Sequence, residues 1–280
     1  MKTSTQLLAA ALVLALAAPA HAFGRLGEAE NLFKFGKKAA DASQEITQDE
    51  EIQLGRGIAA NVLGAAPLVK DEALQRYVNQ VGFWLALQTE RPDLPWRFGV
   101  VESTDVNAFA LPGGTVLITM GLYERLRDES ELAGVLGHEI AHVVQKHQVK
   151  AIKGAMGRDF ATEIAGEAAG RSDNVLVQRF GSKAFSVGTQ VLARGIDKND
   201  EYQADQHGVV IAARGGYNPF GLVGVLQTLD SAAPNDRAMG LLFSTHPTPS
   251  SRIERLGGTM GEKLDAYAGN APARPLYRPK

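Results

Sequence analysis

Two histidines four residues apart, with a glutamate directly after the first, stand at His138, Glu139 and His142 in the stretch GHEIAH. On a helix four residues advance about 400°, so the two imidazoles face the same way one turn apart and can reach one metal ion. Glu139 lies roughly 60° round from His142 on the same sector, where a general base for water held by that ion belongs. Zinc suits such a pattern, because it lowers the pKa of bound water to about 7 and polarises a carbonyl. A catalytic zinc needs a third protein ligand and an open fourth position. A third histidine six residues beyond His142 is excluded, since Gln148 stands there. If the helix continues, His147 points about 140° away from His142 and reads as a bystander, as does His207. A carboxylate is the remaining kind of ligand, with Glu163, Glu167 and Glu201 as candidates. Asp205 lies four residues after Glu201, so one of that pair could bind the metal while the other accepts the free N–H of a ligand imidazole.

These residues need elements to hold them. DESELAGVLGHEIAHVVQKH begins with Asp128 as a cap and Glu131 three positions on, and Leu132, Val135, Leu136, Ile140, Val143 and Val144 give it an apolar face. His138 and His142 fall on the side away from that face. Helices are also predicted over Thr47–Gly64, Asp71–Gln88, the EYQAD region up to Gly215-Gly216, and Pro219–Leu229. Trp96–Ser103 and Asn107–Gly121 carry β-branched and aromatic runs broken by Pro112-Gly113-Gly114, the pattern of strands joined by a turn. A short helix from Leu122 leads on to the GHEIAH helix. Residues 148–196 are rich in Ala and Gly with scattered charges, and read as two or more loosely specified helices, with a mobile lid as one arrangement the sequence leaves open. The tail after Gly258 is expected to fray.

With 45% hydrophobic residues among 280, the chain can bury a substantial core. A net charge of -2 and no block of Lys or Arg set nucleic acid aside. There is no cysteine, so disulfides, thiolate metal ligands, a cysteine nucleophile and lipid attachment at cysteine are excluded. The first residues carry Lys2, an apolar run from Leu7 to Ala18 and then Ala20-His21-Ala22, the order of a secretory signal cleaved after Ala22. That run is shorter than the roughly 20 residues of a spanning helix. The sequence therefore predicts a signal peptide at 1–22, a polar lead-in at 23–46, a catalytic domain at 47–257 and a flexible tail at 258–280, with a periplasmic mature chain lacking any transmembrane segment.

HEIAH at 138–142, EYQAD at 201–205, NAFALPGG at 107–114 and HPTPSSR at 246–252, in that order, resemble the zinc metalloendopeptidases of the HtpX and type I CAAX-prenyl-protease group, metallopeptidase family 48. The four motifs bracket most of the mature chain. The resemblance implies an α+β, mainly helical, gluzincin-like fold with a small β-sheet beside the HEIAH helix. By it, His138, His142 and Glu201 would bind one Zn2+ per chain, Glu139 would be the base, and Asp205 would support a ligand imidazole. The stretch Asn107, Ala108, Phe109, Ala110 would receive substrate as an added strand. ARGIDKNDEYQAD departs from the family in lacking the Ser-Arg pair that often precedes the glutamate. The chain is more similar to the soluble periplasmic members than to the membrane-embedded ones, which implies unfolded or misassembled envelope proteins as substrates and outer-membrane assembly machinery as a partner. A chaperone-like assembly factor with minor proteolysis is the alternative. His246 would either donate to the oxyanion on the attacked carbonyl or bind the zinc and block water, and Arg252 would order its loop.

Overall fold

The structure, a computed structural model, describes residues 45–163, 183–232, 236–268 and 274–279. The expected signal peptide and nearly all of the expected polar lead-in lie outside the described residues, as does the middle of the Ala- and Gly-rich segment. A compact unit begins at Glu45. It is mainly helical with one three-stranded sheet, the α+β class expected.

Helix α1 (Gln48–Ala65) opens with a capping box in which Thr47 accepts from the Glu50 N–H while the Glu50 side chain accepts from Thr47. Helix α2 (Glu72–Ala86) is capped by Asp71 and buries Leu74, Val78, Val81 and Leu85. Strands β1 (Arg97–Val101), β2 (Ala108–Leu111) and β3 (Thr115–Thr119) form a sheet in the order β1-β3-β2, with β1 parallel and β2 antiparallel to β3. The two outer strands meet different neighbours. Along β1, α2 supplies amide side chains: Gln75 bonds Val100 N–H and C=O, each at 2.9 Å, and Asn79 accepts from Phe98 N–H at 3.0 Å. This occupies the backbone groups that an unprotected edge would offer to another chain. β2 instead lines a cleft.

After the short helix α3 (Met120–Tyr123) comes α4 (Glu129–Val144), which carries GHEIAH and is capped by Asp128 accepting from Glu131 N–H at 2.9 Å. The sequence suggested one apolar and one polar face. Every residue of α4 from Glu129 to Val143 is buried instead, because its polar side is covered by the polar residues of later helices. Helix α5 (His147–Glu163) follows, then α6 (Lys183–Arg194), α7 (Lys198–Arg214), α8 (Gly221–Asp230), a 3-10 turn (Arg237–Met239), α9 (Gly240–Thr245) and α10 (Pro249–Ala268). No helix among the described residues is long and apolar enough to cross a membrane.

The α4–α5 junction is a tight corner. Gln145 ends α4 and Lys146 adopts a left-handed backbone at φ 58°. A buried ion pair braces it: Arg91 grips Glu51 with Nη1–Oε1 3.0 Å and Nη2–Oε2 2.8 Å, and also donates to the Val143 carbonyl at 2.9 Å. Glu51 additionally accepts from Gly113 N–H in the β2–β3 turn at 3.1 Å.

The C-terminal part corrects the expected frayed tail. Helix α10 runs straight through Gly257-Gly258, because Leu256 and Leu264 are buried with Leu222 and Leu226 of α8. Burial of that apolar stripe outweighs about 1 kcal/mol lost at each helical glycine. Beyond it, Leu276 is buried, the Arg274 carbonyl accepts from Glu129 N–H at 3.1 Å, and Tyr123 Oη donates to the Tyr277 carbonyl at 2.6 Å.

Candidate metal centre

Helices α4 and α7 cross where Gly137 meets Gly208. A Cβ on Gly137 would stand 2.6 Å from the Gly208 carbonyl oxygen, and one on Gly208 would stand 2.6 Å from the His138 nitrogen, so neither position admits a side chain. This backbone-to-backbone approach brings Glu201 and Asp205 of α7 onto His138 and His142 of α4.

His138 Nε2 and His142 Nε2 lie 3.0 Å apart, with Glu201 Oε2 3.7 Å from the first and Glu201 Oε1 3.4 Å from the second. Donors bound tetrahedrally at 2.0–2.1 Å would be separated by about 3.3 Å, so the set fits a small cation. The other nitrogen of each ring faces outward. His138 Nδ1 lies 2.8 Å from Asp205 Oδ1, and His142 Nδ1 lies 2.9 Å from His147 Nδ1. Burial holds both histidines below their ordinary pKa, so each neutral ring has one proton. With that proton on Nδ1, the two Nε2 lone pairs face each other and the Glu201 carboxylate with nothing to donate between them. Glu201 Oε2 has no hydrogen-bond partner among the described residues although Glu201 is buried. Burial pushes the Glu201 carboxyl well above its usual range, an expense that a cation at this point offsets. The residues present therefore fit a bound metal ion.

His246 completes the ring of acceptors. Its Nε2 lies 3.7 Å from Glu201 Oε2, and its Nδ1 lies 2.9 Å from Thr245 Oγ1. The Thr245 hydroxyl donates its proton to the Leu241 carbonyl at 2.9 Å, so the ring donates from Nδ1 and its Nε2 is a third inward acceptor. Burial also keeps this ring well below its ordinary pKa.

Glu139 points toward the same cleft as Ala108, Phe109 and Ala110 of β2, with Asn107 just before that strand. Val191, Leu192 and Ile196, from α6 and the residues after it, line the cleft with them. Burial pushes the Glu139 carboxyl up to about 8, while Arg252 and the Ala110 N–H pull the other way.

Arg252 stands behind the metal set. It binds both oxygens of Asp205, Nε–Oδ2 at 3.0 Å and Nη2–Oδ1 at 2.5 Å, from the first turn of α10. It is buried, is not among the residues lining the cleft, and its Nη2 also lies 3.2 Å from His138 Nδ1. Of the carboxylates open at the third position, Glu201 is the one brought to the histidines; Glu163 closes α5, and Glu167 lies outside the described residues.

His147 is the residue the sequence misplaced. The left-handed Lys146 turns the chain back, so the ring expected to point away from His142 sits 5.1 Å from it, centroid to centroid. The one sequence signal for this is that the apolar periodicity of α4 stops at Val144, before the polar pair Gln145-Lys146.

Residues 72–260 match the sequence profile of peptidase family M48. Among curated proteins, the chain is 30% identical over 261 residues to the beta-barrel assembly-enhancing protease of Escherichia coli K12, covering 88% of this chain and 50% of that protein. It is 27% identical over 166 residues to metalloprotease LoiP of the same strain, covering 59% of this chain and 63% of that one. A protease HtpX homolog of Salinibacter ruber is 30% identical over 195 residues, 59% of this chain and 69% of that protein. The chain spans about half the length of the first of these relatives. A profile match over most of the chain, with its histidines and glutamates converging on one cation-shaped point, shows that the protein belongs to peptidase family M48.

Proposed function

We propose that this chain is a periplasmic, zinc-dependent endopeptidase, exported by a cleavable signal at residues 1–22, that hydrolyses peptide bonds of unfolded or misassembled envelope proteins. The observation that carries the reading is the meeting of three ring nitrogens with a buried carboxylate oxygen that has no hydrogen-bond partner among the described residues, beside Glu139. His138, His142 and Glu201 would hold the zinc, and His246 would add a fourth inward donor in the resting protein. Zinc there supplies Lewis acidity, acidifying water to a pKa of about 7 and polarising a carbonyl. Glu139 takes the proton of the attacking water and passes it to the leaving amine. The Ala110 N–H bonded to Glu139 ties that base to β2, so a substrate laid along residues 107–110 by backbone pairing is registered against it. Asp205 fixes the His138 ring, and Arg252 fixes Asp205.

The name of the E. coli relative, a beta-barrel assembly-enhancing protease, supports a link to assembly and with it a second reading, a chaperone-like assembly factor working with outer-membrane assembly machinery, in which proteolysis is minor. Purified mature chain, assayed for bound zinc and for casein cleavage beside Glu139→Gln, tests both. About one zinc per chain and cleavage that the variant loses is the expected result. Zinc without cleavage in either protein favours the assembly factor, and protein that binds no zinc overturns the metal reading.

A further inference from the structure

We propose that His147 is a positioning residue for the metal site, its neutral ring accepting the Nδ1–H of His142 and so fixing that ligand's tautomer and tilt. The inference rests on the reading of His142 as a metal ligand. Two ring nitrogens 2.9 Å apart make a hydrogen bond only if one carries a proton and the other does not. His142 Nε2, which faces Glu201 and His138, is the nitrogen that would bind the metal and must then carry no proton, so the His142 proton sits on Nδ1 and His147 Nδ1 accepts it. The proton of His147 then sits on Nε2. That atom faces the Asp200 carboxylate, with Oδ1 at 3.9 Å, and the ring has the Gln203 side chain as a hydrogen-bond partner. Asp200 is itself buried and held by Lys150, whose Nζ lies 2.8 and 3.1 Å from its two oxygens.

A space-filling role does not account for this arrangement. His147 is buried and meets His142 edge to face, at an interplanar angle of 74°. A leucine would fill the volume but strand the buried His142 N–H, and losing the outer partner of a metal-binding imidazole costs about 10–100-fold in metal affinity. The two histidine ligands are thereby held unequally: His138 by a carboxylate that Arg252 neutralises, His142 by an uncharged ring. The Lys146 corner makes this possible, since a continued helix would carry His147 away from His142.

The test uses the full chain with 15N-labelled histidine, loaded with zinc, together with zinc affinity by chelator competition for wild type, His147→Leu and His147→Asn. The spectra should show His147 protonated on Nε2 and bare on Nδ1. His147→Leu should weaken zinc binding about 10–100-fold, and His147→Asn, whose carboxamide oxygen can replace the ring acceptor, should recover most of it. A proton on His147 Nδ1, or wild-type affinity in His147→Leu, overturns the inference; if the leucine variant does not fold, the tautomer decides. A wild type that binds no zinc sinks the metal reading as well, whereas zinc binding with the wrong tautomer sinks this inference alone.

Discussion

Arg252 holds both oxygens of Asp205, whose Oδ1 lies 2.8 Å from His138 Nδ1, and Arg252 Nη2 itself lies 3.2 Å from that nitrogen, so a residue of α10 reaches the metal set through one carboxylate and beside it. Burial alone would push the Asp205 carboxyl up, but Arg252 and the His138 ring outweigh it and hold the carboxyl well below its usual range. Arg252→Met leaves that carboxylate buried without its cationic partner, with the His138 ring alone to bond it. It should cost about 3–5 kcal/mol in urea unfolding and weaken zinc about 10–100-fold. Arg252→Lys should recover little of either, because one ammonium does not span both oxygens as the guanidinium fork does. Wild-type stability in Arg252→Met would contradict this account.

His246 presents Nε2 as an acceptor with its proton committed to Thr245. Such a ring blocks a metal position better than it donates to an oxyanion. His246→Ala should therefore raise the rate of casein cleavage at saturating zinc. A fall of about 100-fold or more would show instead that the ring stabilises the oxyanion.

Glu139→Gln should lower cleavage by at least about 100–10,000-fold, the scale of a lost general base, while zinc stays bound. The same change should stabilise the metal-stripped protein. The Glu139 carboxyl is raised to about 8 in the fold, so the native state is penalised as pH climbs from the unfolded value of about 4.3 toward 8. The Tm gain of Glu139→Gln over wild type should be small at pH 5 and grow up to about pH 8. A gain independent of pH would show that the carboxyl is not raised.

Gly208→Ala puts a methyl group 2.6 Å from the His138 backbone nitrogen. The helices must separate, and overpacking of this kind costs about 1–3 kcal/mol. Because Glu201 and Asp205 ride on the displaced helix, zinc affinity should fall along with Tm. Loss of Tm with unchanged affinity would mean that the crossing does not set the site.

The parts of this site that sequence reveals are the ones that short-range helix geometry dictates. His138, Glu139 and His142 share a sector whatever surrounds them, and Glu201 and Asp205 are paired by their i+4 spacing. What the sequence hides depends on partners far along the chain. The polar side of α4 looked solvent-facing because the residues that cover it, Glu201, Asp205 and Arg252, lie about 60 to 110 positions later. Glu51, one of three acids in the first turn of its helix, is buried against Arg91, which lies 40 positions later. Lys146 gives no sign of its left-handed backbone, because lysine is not a residue type that favours it, and His147 was misplaced with it. Gly257-Gly258 looked like a stop, and the burial of Leu256 and Leu264 overrode it.

The contacts of residues 274–277 with Tyr123 and Glu129 have a consequence for the order in which the molecule is made. The first turn of the HEIAH helix receives its last backbone partner from a residue 145 positions further along. At a synthesis rate of about 5–20 residues per second, that partner leaves the ribosome roughly 7–30 seconds after the helix it secures. A growing chain that has not yet released Arg252 has both histidines but not the Asp205–Arg252 pair that orients His138, and one that ends before Arg274 lacks the clasp on α4. Under the proposed function, a chain that lacks residues 252 and 274 holds the HEIAH histidines but neither the guanidinium that grips Asp205 nor the backbone partner of Glu129.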